Sequence, residues 1–215
     1  KNYIPVAHII NFKFFWKYKF FVNKNVLIPR PETELMIEKV LDILSVTSNK
    51  NILDVGTGSG CIAISLIKDR PYCRITAIDK SKKAIKVAKK NAEMHQVGKK
   101  VKFINIDVDK YFSNKYDIII SNPPYITNSE LLSLDKDVKL NEPKIALSGG
   151  FSGLEIFFKI INKCNRLLKN NGMLILEIGH KQGKELKKYL SQIWFLVKNI
   201  KIIIVPIAKI VIQLL

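Results

Sequence analysis

The sequence predicts an α/β fold with a mostly parallel sheet, and two observations support this prediction. From residue 51 onward, short apolar runs rich in β-branched residues alternate with amphipathic segments, which is typical of parallel strands joined by crossover helices. The chain has 215 residues, 47% of them hydrophobic and 25% charged, so it is long enough to bury a core on such a sheet. No apolar run reaches the roughly 18 uninterrupted residues of a membrane-spanning helix, so we expect no membrane association.

The first predicted elements lead into the sheet. Residues 12–27 are aromatic and β-prone around the polar residues 23–25, which predicts a strand pair with its turn at 23–25. Residues 31–44 predict a helix, because Pro31 suits a first helical turn and the acidic Glu32 complements the helix dipole. The apolar face of this helix should pack on the sheet.

The elements of the sheet then follow in alternation. Residues 128–148 show little periodicity and predict a loop over the site that the strand ends form. The predicted strands are 51–55, 74–79, 101–107, 116–121 and 173–178, and the predicted helices are 60–69, 81–95, 152–169 and 181–192.

The charge balance is strongly basic, with 36 Lys and Arg against 18 Asp and Glu and a formal net charge of +18. Such a charge favours acidic partners or nucleic acid at modest salt. Almost all of the basic residues are lysines, however, whereas proteins that recognise bases depend on bidentate arginine. Because AT-rich codon usage explains a surplus of lysine equally well, we expect no stable binding to nucleic acid.

The cysteines and the N-terminal residues indicate the compartment. Cys61, Cys73 and Cys164 are odd in number and lack CxxC or CxxH spacing, so neither a disulfide framework nor a metal site is expected. The apolar residues near the N-terminus are interleaved with lysines, unlike a signal peptide. We expect a reducing location, either a bacterial cytoplasm or an organelle of bacterial descent.

A glycine-rich loop, Asp54-Val-Gly-Thr-Gly-Ser-Gly60, joins the first sheet strand to a helix. Glycines let the backbone approach a ligand closely, and the following helix N-terminus supplies N–H donors. The alternative is a tight strand-to-helix turn without a ligand. Three glycines at alternate positions favour the binding interpretation, and the predicted cofactor-binding residues here are Gly56, Thr57, Gly58, Ser59 and Gly60.

Two acidic residues end the next two predicted strands. Asp79 is placed where a carboxylate accepts from both hydroxyls of a ribose, which indicates a cofactor that contains a nucleoside. The alternative is that Asp79 caps the helix that begins near Ser81. Asp107 is a candidate partner for an adenine amino group, and its alternative is a solvated loop carboxylate.

The most informative motif is Asn122-Pro123-Pro124-Tyr125, which follows the apolar strand 116–121. Two consecutive prolines fix the backbone rigidly where the strand stops and direct the Pro123 carbonyl outward. Asn122 offers a side-chain acceptor, Pro123 a backbone acceptor and Tyr125 a flat face. Together these groups suit a planar –NH2 group, either an amide or an exocyclic base amine, whereas the alternative is an ordinary Asn-Pro turn.

The nitrogen of such a group is a poor nucleophile because its lone pair is delocalised. Two acceptors on its N–H bonds would orient it toward an electrophile such as a sulfonium methyl group, and positioning then supplies most of the rate. No strong general base is needed before transfer. We therefore predict that Asn122, Pro123 and Tyr125 are catalytic and that Asn122, Pro123, Pro124 and Tyr125 bind the substrate.

Four blocks of the sequence are distinctive: 26–34 (Val-Leu-Ile-Pro-Arg-Pro-Glu-Thr-Glu), 52–64, 121–126 and 142–154 (Glu-Pro-x-x-Ala-Leu-x-Gly-Gly-x-x-Gly-Leu). They closely resemble the peptide chain release factor N5-glutamine methyltransferases, the HemK-type family, and the resemblance covers residues 4 to about 192. Asn-Pro-Pro-Tyr alone also occurs in adenine N6 methyltransferases of DNA and in ribosomal RNA methyltransferases. Blocks 26–34 and 142–154 are far more specific.

The resemblance implies a class I S-adenosylmethionine-dependent methyltransferase, Rossmann-like, with a seven-stranded, mostly parallel sheet and helices on both faces. It implies methyl transfer from S-adenosyl-L-methionine to the glutamine of the Gly-Gly-Gln motif in class 1 release factors. It places the Gly56–Gly60 loop and Asp79 on the cofactor and Asn122 near both cofactor and substrate. Family members often have an aromatic residue against adenine where this chain has Val108.

The resemblance also implies a domain division. Residues 1–28 would be a connecting β-hairpin segment and residues 29–215 the catalytic domain, and we expect the helical N-terminal domain of the family to be missing. We expect a monomer. Family members end in an antiparallel strand pair joined by a polar turn, whereas residues 198–215 contain no turn-forming residue except Pro206, so the expected hairpin lacks its turn chemistry.

Three other functions are compatible with parts of this sequence. One is glutamine methylation of a ribosomal protein, which block 26–34 disfavours. Another is N6-adenine or other amino methylation of DNA or ribosomal RNA, which would need a target-recognition domain or a basic arm that the sequence does not show. The last is a decayed relative that binds cofactor or a release factor without turnover.

Overall fold

The centre of the computed structural model is a seven-stranded sheet, and the structure describes residues 3–113, 115–179, 182–192, 200–206 and 212–214. The strands of this sheet are β3 (Asn51–Val55), β4 (Arg74–Asp79), β5 (Val101–Asn105), β6 (Tyr116–Ser121), β9 (Leu168–Ile178), β10 (Lys201–Pro206) and β11 (Ile212–Leu214). Their order is β5-β4-β3-β6-β9-β10-β11. Neighbouring strands are parallel except for the pair β10 and β11, so the predicted mostly parallel sheet is confirmed.

Helices cover both faces of this sheet. The helices of eight or more residues are α2 (Glu34–Ile43), α3 (Cys61–Asp69), α4 (Lys82–Met94), α7 (Glu155–Leu167) and α8 (Gly183–Gln192). None of the described helices is long and apolar enough to span a membrane.

Alternation along the strands explains why both faces are buried. In β9, Met173 and Ile175 belong to the core beneath α2 and α3, and Leu174 and Leu176 belong to the core beneath α7 and α8. Strands that are apolar on both faces need helices on both sides, which is the reason for the doubly wound arrangement.

The N-terminal residues form α1 (Val6–Ile9) and a hairpin of β1 (Phe12–Phe15) and β2 (Tyr18–Phe21). The predicted strand pair is present, but its predicted turn at 23–25 is wrong. The chain turns at Trp16, which has a positive φ of 56° and donates its indole N–H to Asp69 at 2.8 Å. The polar residues 23–25 form a separate turn after β2, where Asn25 N–H donates to Asn23 Oδ1 at 3.0 Å.

Two strands differ from their predicted bounds. β9 begins at Leu168 and not at 173, because Leu168 pairs with Tyr116 ahead of a shift in register, and Asn171 absorbs the irregularity with a φ of 61°. β5 ends at Asn105 and not at 107, because Asp107 Oδ1 accepts from Asp109 N–H and starts a 3-10 turn, Val108–Lys110.

The predicted loop 128–148 is wrong in part, since much of it is short helix. It contains a 3-10 turn (Glu130–Leu132), α5 (Lys136–Asn141) and α6 (Lys144–Leu147). It then leads into β8 (Ser148–Gly150), which pairs with β7 (Ile126–Thr127). α5 has six residues and buries none of them, and α6 has four residues and buries only Leu147. Such short and mostly exposed helices show no hydrophobic period in the sequence. The predicted helix 31–44 is likewise divided into a 3-10 turn, Pro31–Thr33, and α2.

The C-terminal strands form the antiparallel pair that the resemblance implied, with Ile203 opposite Gln213. Residues 207–211, where the turn chemistry was expected to be missing, lie outside the described residues.

Candidate active site

The carboxyl ends of β3, β4 and β6 meet at one cavity, the usual place for a ligand in a doubly wound sheet. Residues 25–30, residues 106–108 after β5, α6 and α7 contribute the rest of its walls. The structure places these predicted site residues around it: Gly56, Thr57, Gly58, Ser59, Asp79, Asp107, Val108, Asn122, Pro123 and Pro124.

Two of the predicted residues, Gly60 and Tyr125, do not line this cavity. Gly60 immediately precedes α3, and a Cβ on Gly60 would lie 3.1 Å from the Cβ of Ala88 in α4. Its absence of a side chain therefore lets α3 pack closely on α4. Tyr125 lies at the edge of the core under α7 and α8.

The loop after β3 has the geometry of a cradle. Gly56 and Gly58 have positive φ values of 75° and 56°, and no atom lies within 4 Å of a Cβ placed on Gly56. The backbone needs glycine for its conformation, and the space that a side chain would fill is left to a ligand. This cradle fits a cofactor that contains a nucleoside, as the glycines and Asp79 predict.

A buried carboxyl holds this cradle in place. Asp54 has no exposed surface and accepts a hydrogen bond from Thr57 Oγ1 at 2.6 Å. Burial raises the pKa of Asp54 to about 7, and the hydrogen bond from Thr57 opposes that rise. The loop is thus tied to the strand that precedes it.

Asp79 lies beside the same loop. Its Oδ2 accepts from Gly58 N–H at 3.0 Å, and its Oδ1 accepts from Ser81 N–H at 2.8 Å. Burial raises the pKa of Asp79, and these two N–H groups oppose that rise. Ser81 itself caps α4 by accepting from Ala84 N–H, so Asp79 organises the entry to the helix without being its cap. Each carboxylate oxygen can accept a further hydrogen bond.

The wall beyond Asp79 is apolar. Val108 is buried and lines the cavity with Ile106 and Ile156. Asp107 lines it too, with one oxygen already used by Asp109 N–H. A flat base would pack here against aliphatic side chains, Val108 among them, and not against an aromatic ring.

Asn122 follows the end of β6, which Ser121 ties to β3 by donating to the Val55 carbonyl at 2.7 Å. Asn122 Nδ2 donates to Thr33 Oγ1 at 2.9 Å. Since the amide nitrogen is used by Thr33, the amide oxygen is the group left to accept from a ligand in the cavity. Pro123 and Pro124 continue the cavity wall.

Sequence reasoning missed a glutamine that fixes the next residues. Gln182 Nε2 donates to the carbonyls of Tyr125 at 2.9 Å and Gly153 at 3.2 Å, and its Oε1 accepts from Gly179 N–H at 3.0 Å. A Cβ on Gly153 would lie 2.5 Å from the Tyr125 carbonyl oxygen. The glycine of block 142–154 therefore permits the close contact with Tyr125. A lone glutamine carries no signal of this kind in a single sequence.

An ion pair joins the two most specific blocks of the sequence. Arg30 donates to Glu142 at 2.6 Å, and Glu142 also accepts from Ile28 N–H at 3.4 Å. The Glu142 side chain is 1% exposed, whereas that of Arg30 is 33% exposed and lines the cavity. The pair fixes blocks 26–34 and 142–154 against each other at the mouth of the cavity.

A second buried carboxyl, Glu177 at the end of β9, was also missed. Burial raises its pKa to about 7, and Glu32 contributes in the same direction, while Thr33, Asn122 and Arg30 oppose the rise. Burial raises the pKa of the Tyr125 phenol as well, with a further contribution from Glu177. The available signal was one acidic residue in the otherwise apolar run 173–178. Among the described residues, no cluster of His, Cys, Asp and Glu could hold a metal ion.

Comparison with family models and curated proteins gives consistent matches. Residues 32–139 match the model of the methyltransferase small domain. The chain is 42% identical over 184 residues to the release factor glutamine methyltransferase of Thermodesulfovibrio yellowstonii, covering 84% of this chain and 65% of that protein. It is 38% identical over 195 residues to the enzyme of that name from Buchnera aphidicola subsp. Baizongia pistaciae, covering 91% and 70%.

Other relatives are longer. The bifunctional methyltransferase of Rickettsia prowazekii is 40% identical over 203 residues, which cover 86% of this chain and 39% of that protein. The chain therefore spans less than two thirds of the length of several of the curated relatives that it matches.

Solved structures share the fold. The ribosomal protein L11 methylase of Lactobacillus delbrueckii subsp. bulgaricus superposes with a TM-score of 0.57 at 18% identity, over 78% of this chain and 70% of that one. TrmN from Thermus thermophilus gives a TM-score of 0.52 at 20% identity, over 74% and 43%. These likenesses confirm the predicted class I methyltransferase fold.

Proposed function

The chain belongs to the release factor glutamine methyltransferase family, and we propose that it is an S-adenosylmethionine-dependent protein-(glutamine-N5) methyltransferase. Its substrate is the side-chain amide of the glutamine in the Gly-Gly-Gln motif of class 1 peptide chain release factors. The observation that carries this proposal is the orientation of Asn122, whose Nδ2 is engaged by Thr33 at 2.9 Å. An acceptor is thereby presented beside the cofactor cradle.

The cofactor-binding residues contact different parts of the cofactor along the cavity. The loop Gly56, Thr57, Gly58 and Ser59 receives the cofactor close to the backbone, and Asp79 accepts from its ribose hydroxyls. Asp107 and Val108 form the wall for its base. S-adenosyl-L-methionine, when bound, supplies an electrophilic methyl group.

The substrate residues orient the glutamine. Asn122 Oδ1 and the Pro123 carbonyl accept from its –NH2 group, and the rigid Pro123-Pro124 backbone keeps both acceptors in place. Tyr125, which stands back from the cavity, shapes the surface behind them. Alignment of the nitrogen with the methyl group lowers the barrier, and the excess proton leaves through the same acceptors after transfer.

We also propose a domain division, an oligomeric state, a location and partners for the protein. Residues 1–28 are a connecting segment and 29–215 the catalytic domain. The protein acts as a monomer, in a bacterial cytoplasm or an organelle of bacterial descent. Class 1 release factors are its partners, and it forms no stable complex with nucleic acid or membranes.

The test uses radiolabelled S-adenosyl-L-methionine with a class 1 release factor, with the same factor carrying Glu in place of the Gly-Gly-Gln glutamine, with ribosomal proteins and with duplex DNA. We expect label only in the unaltered release factor. Equal labelling of the altered factor, or preferential labelling of ribosomal protein or DNA, would contradict the proposal.

A further inference from the structure

Glu177 is a buried carboxyl without a role in the proposed methyl transfer. It is 1% exposed, and among the described residues neither of its oxygens has a partner at hydrogen-bond geometry. A carboxyl without hydrogen bonds is costly to bury. An apolar residue would satisfy the packing of β9 at this position, so the carboxyl calls for another explanation.

The groups beside Glu177 are those that hold Asn122. Ser121 pairs with Leu176 in the sheet, so the next residues, Asn122 and Glu177, are neighbours at the ends of β6 and β9. Thr33 and Asn122 both lower the pKa of Glu177. Thr33 Oγ1 already accepts from Asn122 Nδ2 at 2.9 Å. A hydroxyl has one proton to donate, and that of Thr33 is not used by Asn122, so it is left for an acceptor such as the unpartnered carboxylate of Glu177.

The direction of these hydrogen bonds decides which end of the Asn122 amide faces the cavity. If Thr33 donated to Asn122, the amide oxygen would point to Thr33 and the –NH2 group would face the substrate. Two –NH2 groups would then oppose each other. An acceptor that takes the proton of Thr33 forces Thr33 to present its lone pair to Asn122 Nδ2.

We propose that Glu177, acting through Thr33, is a positioning residue that keeps Asn122 Oδ1 directed at the substrate amide. The inference rests on the proposed function for its catalytic consequence, but the orientation of Asn122 is a property of the protein alone. The ionised carboxylate only accepts, so it enforces this order of hydrogen bonds. The protonated carboxyl can donate to Thr33 and permits the reverse order.

Other charged groups face Glu177. Glu32 raises its pKa and Arg30 lowers it, and Arg30 is itself paired with Glu142. Tyr125 stands next to Glu177 as a neutral phenol, since its own pKa is raised. The direction of the hydrogen bonds between Asn122, Thr33 and Glu177 therefore changes as Glu177 titrates. The direction that turns Asn122 Oδ1 to the substrate is the one enforced at higher pH.

The test compares Thr33→Val, which removes the hydroxyl at nearly constant volume, with Thr33→Ser, which restores it. Ser65→Ala is the matched control, because Ser65 is a buried hydroxyl in α3 without a described partner. One readout is the side-chain amide resonance of Asn122 in ¹⁵N-labelled protein, assigned by its loss in Asn122→Ala. The other is kcat with release factor at saturating cofactor.

We expect Thr33→Val to move the Asn122 amide resonance and to lower kcat about 10- to 100-fold, by analogy with the loss of a residue that orients a metal ligand. Thr33→Ser should restore both, and Ser65→Ala should change neither. Binding of S-adenosylhomocysteine should stay within about twofold in all three.

Glu177→Met and Glu177→Gln extend the test to the carboxyl. Both should abolish the pH dependence of the Asn122 resonance near neutral pH. If Thr33→Val leaves the resonance and kcat unchanged, the positioning role is wrong, whether or not Glu177→Met folds. If the resonances respond as expected but no release factor is methylated by the wild type, the positioning stands and the proposed function fails.

Discussion

The two sides of the cavity each contain a buried carboxyl next to a threonine, but the two pairs are built differently. On the cofactor side, Thr57 donates to Asp54 at 2.6 Å, and the two residues are three positions apart where β3 passes into the loop. On the substrate side, Thr33 accepts from Asn122 and lies beside Glu177, so three distant segments meet. The cofactor side thus combines one local contact with the contact between Asp79 and Gly58, whereas the substrate side depends on contacts among segments that are all far apart in the sequence.

This difference predicts that the two sides fail separately. The largest effect is expected for Asn122→Ala, which removes the acceptor on the substrate side. Turnover should fall about 10²- to 10³-fold, as when one aligned transition-state hydrogen bond is lost, while the affinity for S-adenosylhomocysteine stays nearly unchanged by calorimetry. Asn162→Ala is the control, since Asn162 lies on α7 and contacts only the Tyr189 hydroxyl among the described hydrogen bonds.

If Asn122→Ala retains more than about a third of wild-type turnover, far above that range, the alignment role is wrong. A parallel loss of cofactor affinity would instead show that the two sides are not separable.

Asp79→Ala tests the cofactor side. Ribose hydroxyls lose a charged acceptor, which typically costs about 1.5–3 kcal/mol, so the dissociation constant for S-adenosylhomocysteine should rise while kcat at saturating cofactor is nearly kept. Calorimetric titration measures the first quantity. Asp42→Ala, an exposed carboxyl paired with Lys39 on α2, is the control.

Asp79 also accepts from Gly58 and Ser81 N–H, so thermal unfolding should be recorded with the titration. Unchanged affinity together with a lower unfolding temperature would favour the helix-entry role over the ribose role.

The pH dependence of stability distinguishes the buried carboxyl of the substrate side. Burial raises the pKa of Glu177 to about 7, so the folded protein keeps a proton that the unfolded chain releases near its ordinary, lower pKa. Stability is therefore greatest below that lower pKa and falls as the pH rises toward 7. When the folded protein binds one proton more than the unfolded chain, the free energy of unfolding falls by about 1.4 kcal/mol per pH unit. The free energy of unfolding of the wild type should therefore fall by about 2 kcal/mol between roughly pH 5 and 6.5, relative to that of Glu177→Gln.

Urea unfolding of both proteins across this range measures the difference. Parallel pH profiles for wild type and Glu177→Gln would show that Glu177 has an ordinary pKa. Asp54→Asn should behave like Glu177→Gln, because burial raises the pKa of Asp54 in the same direction.

The same contrast explains how much of the site could be predicted from the sequence. The alternating apolar runs predicted the sheet, and the loop 54–60 and Asp79 were recognisable because strand, glycines and carboxylate lie close together along the chain. Asn122-Pro123-Pro124 was recognisable because consecutive prolines are rare at a strand end. These residues line one cavity, although their roles remain predictions.

The supporting residues could not be predicted in this way. Thr33 and Gln182 make side-chain contacts with segments far away in the chain, and Glu177 is buried between such segments. A single sequence contains no spacing that records such an arrangement. The position of the hairpin turn was predicted wrongly for a related reason. The conformation of Trp16 is stabilised by Asp69 and Glu34 from other elements and not by local turn residues. Arg30 and Glu142 were in recognised blocks, but their pairing was not visible.

The smallest effect is expected for Gln182→Ala, which removes hydrogen bonds behind the substrate side without touching an acceptor of the cavity. Gln182 bridges Tyr125, Gly153 and Gly179, so its loss should loosen the backbone that carries Pro124 and Tyr125. Loss of about 1–2 kcal/mol corresponds to a factor of about 5–30, which we expect in kcat/KM for the release factor. Cofactor affinity should not change, and Gln192→Ala at the end of α8 is the control.

Because a glutamate cannot donate to the two carbonyls, Gln182→Glu should be at least as impaired as Gln182→Ala. A Gln182→Glu variant with full activity would show that the bridge has no role in holding Tyr125, and the substrate side would then owe its geometry to the prolines and Thr33 alone.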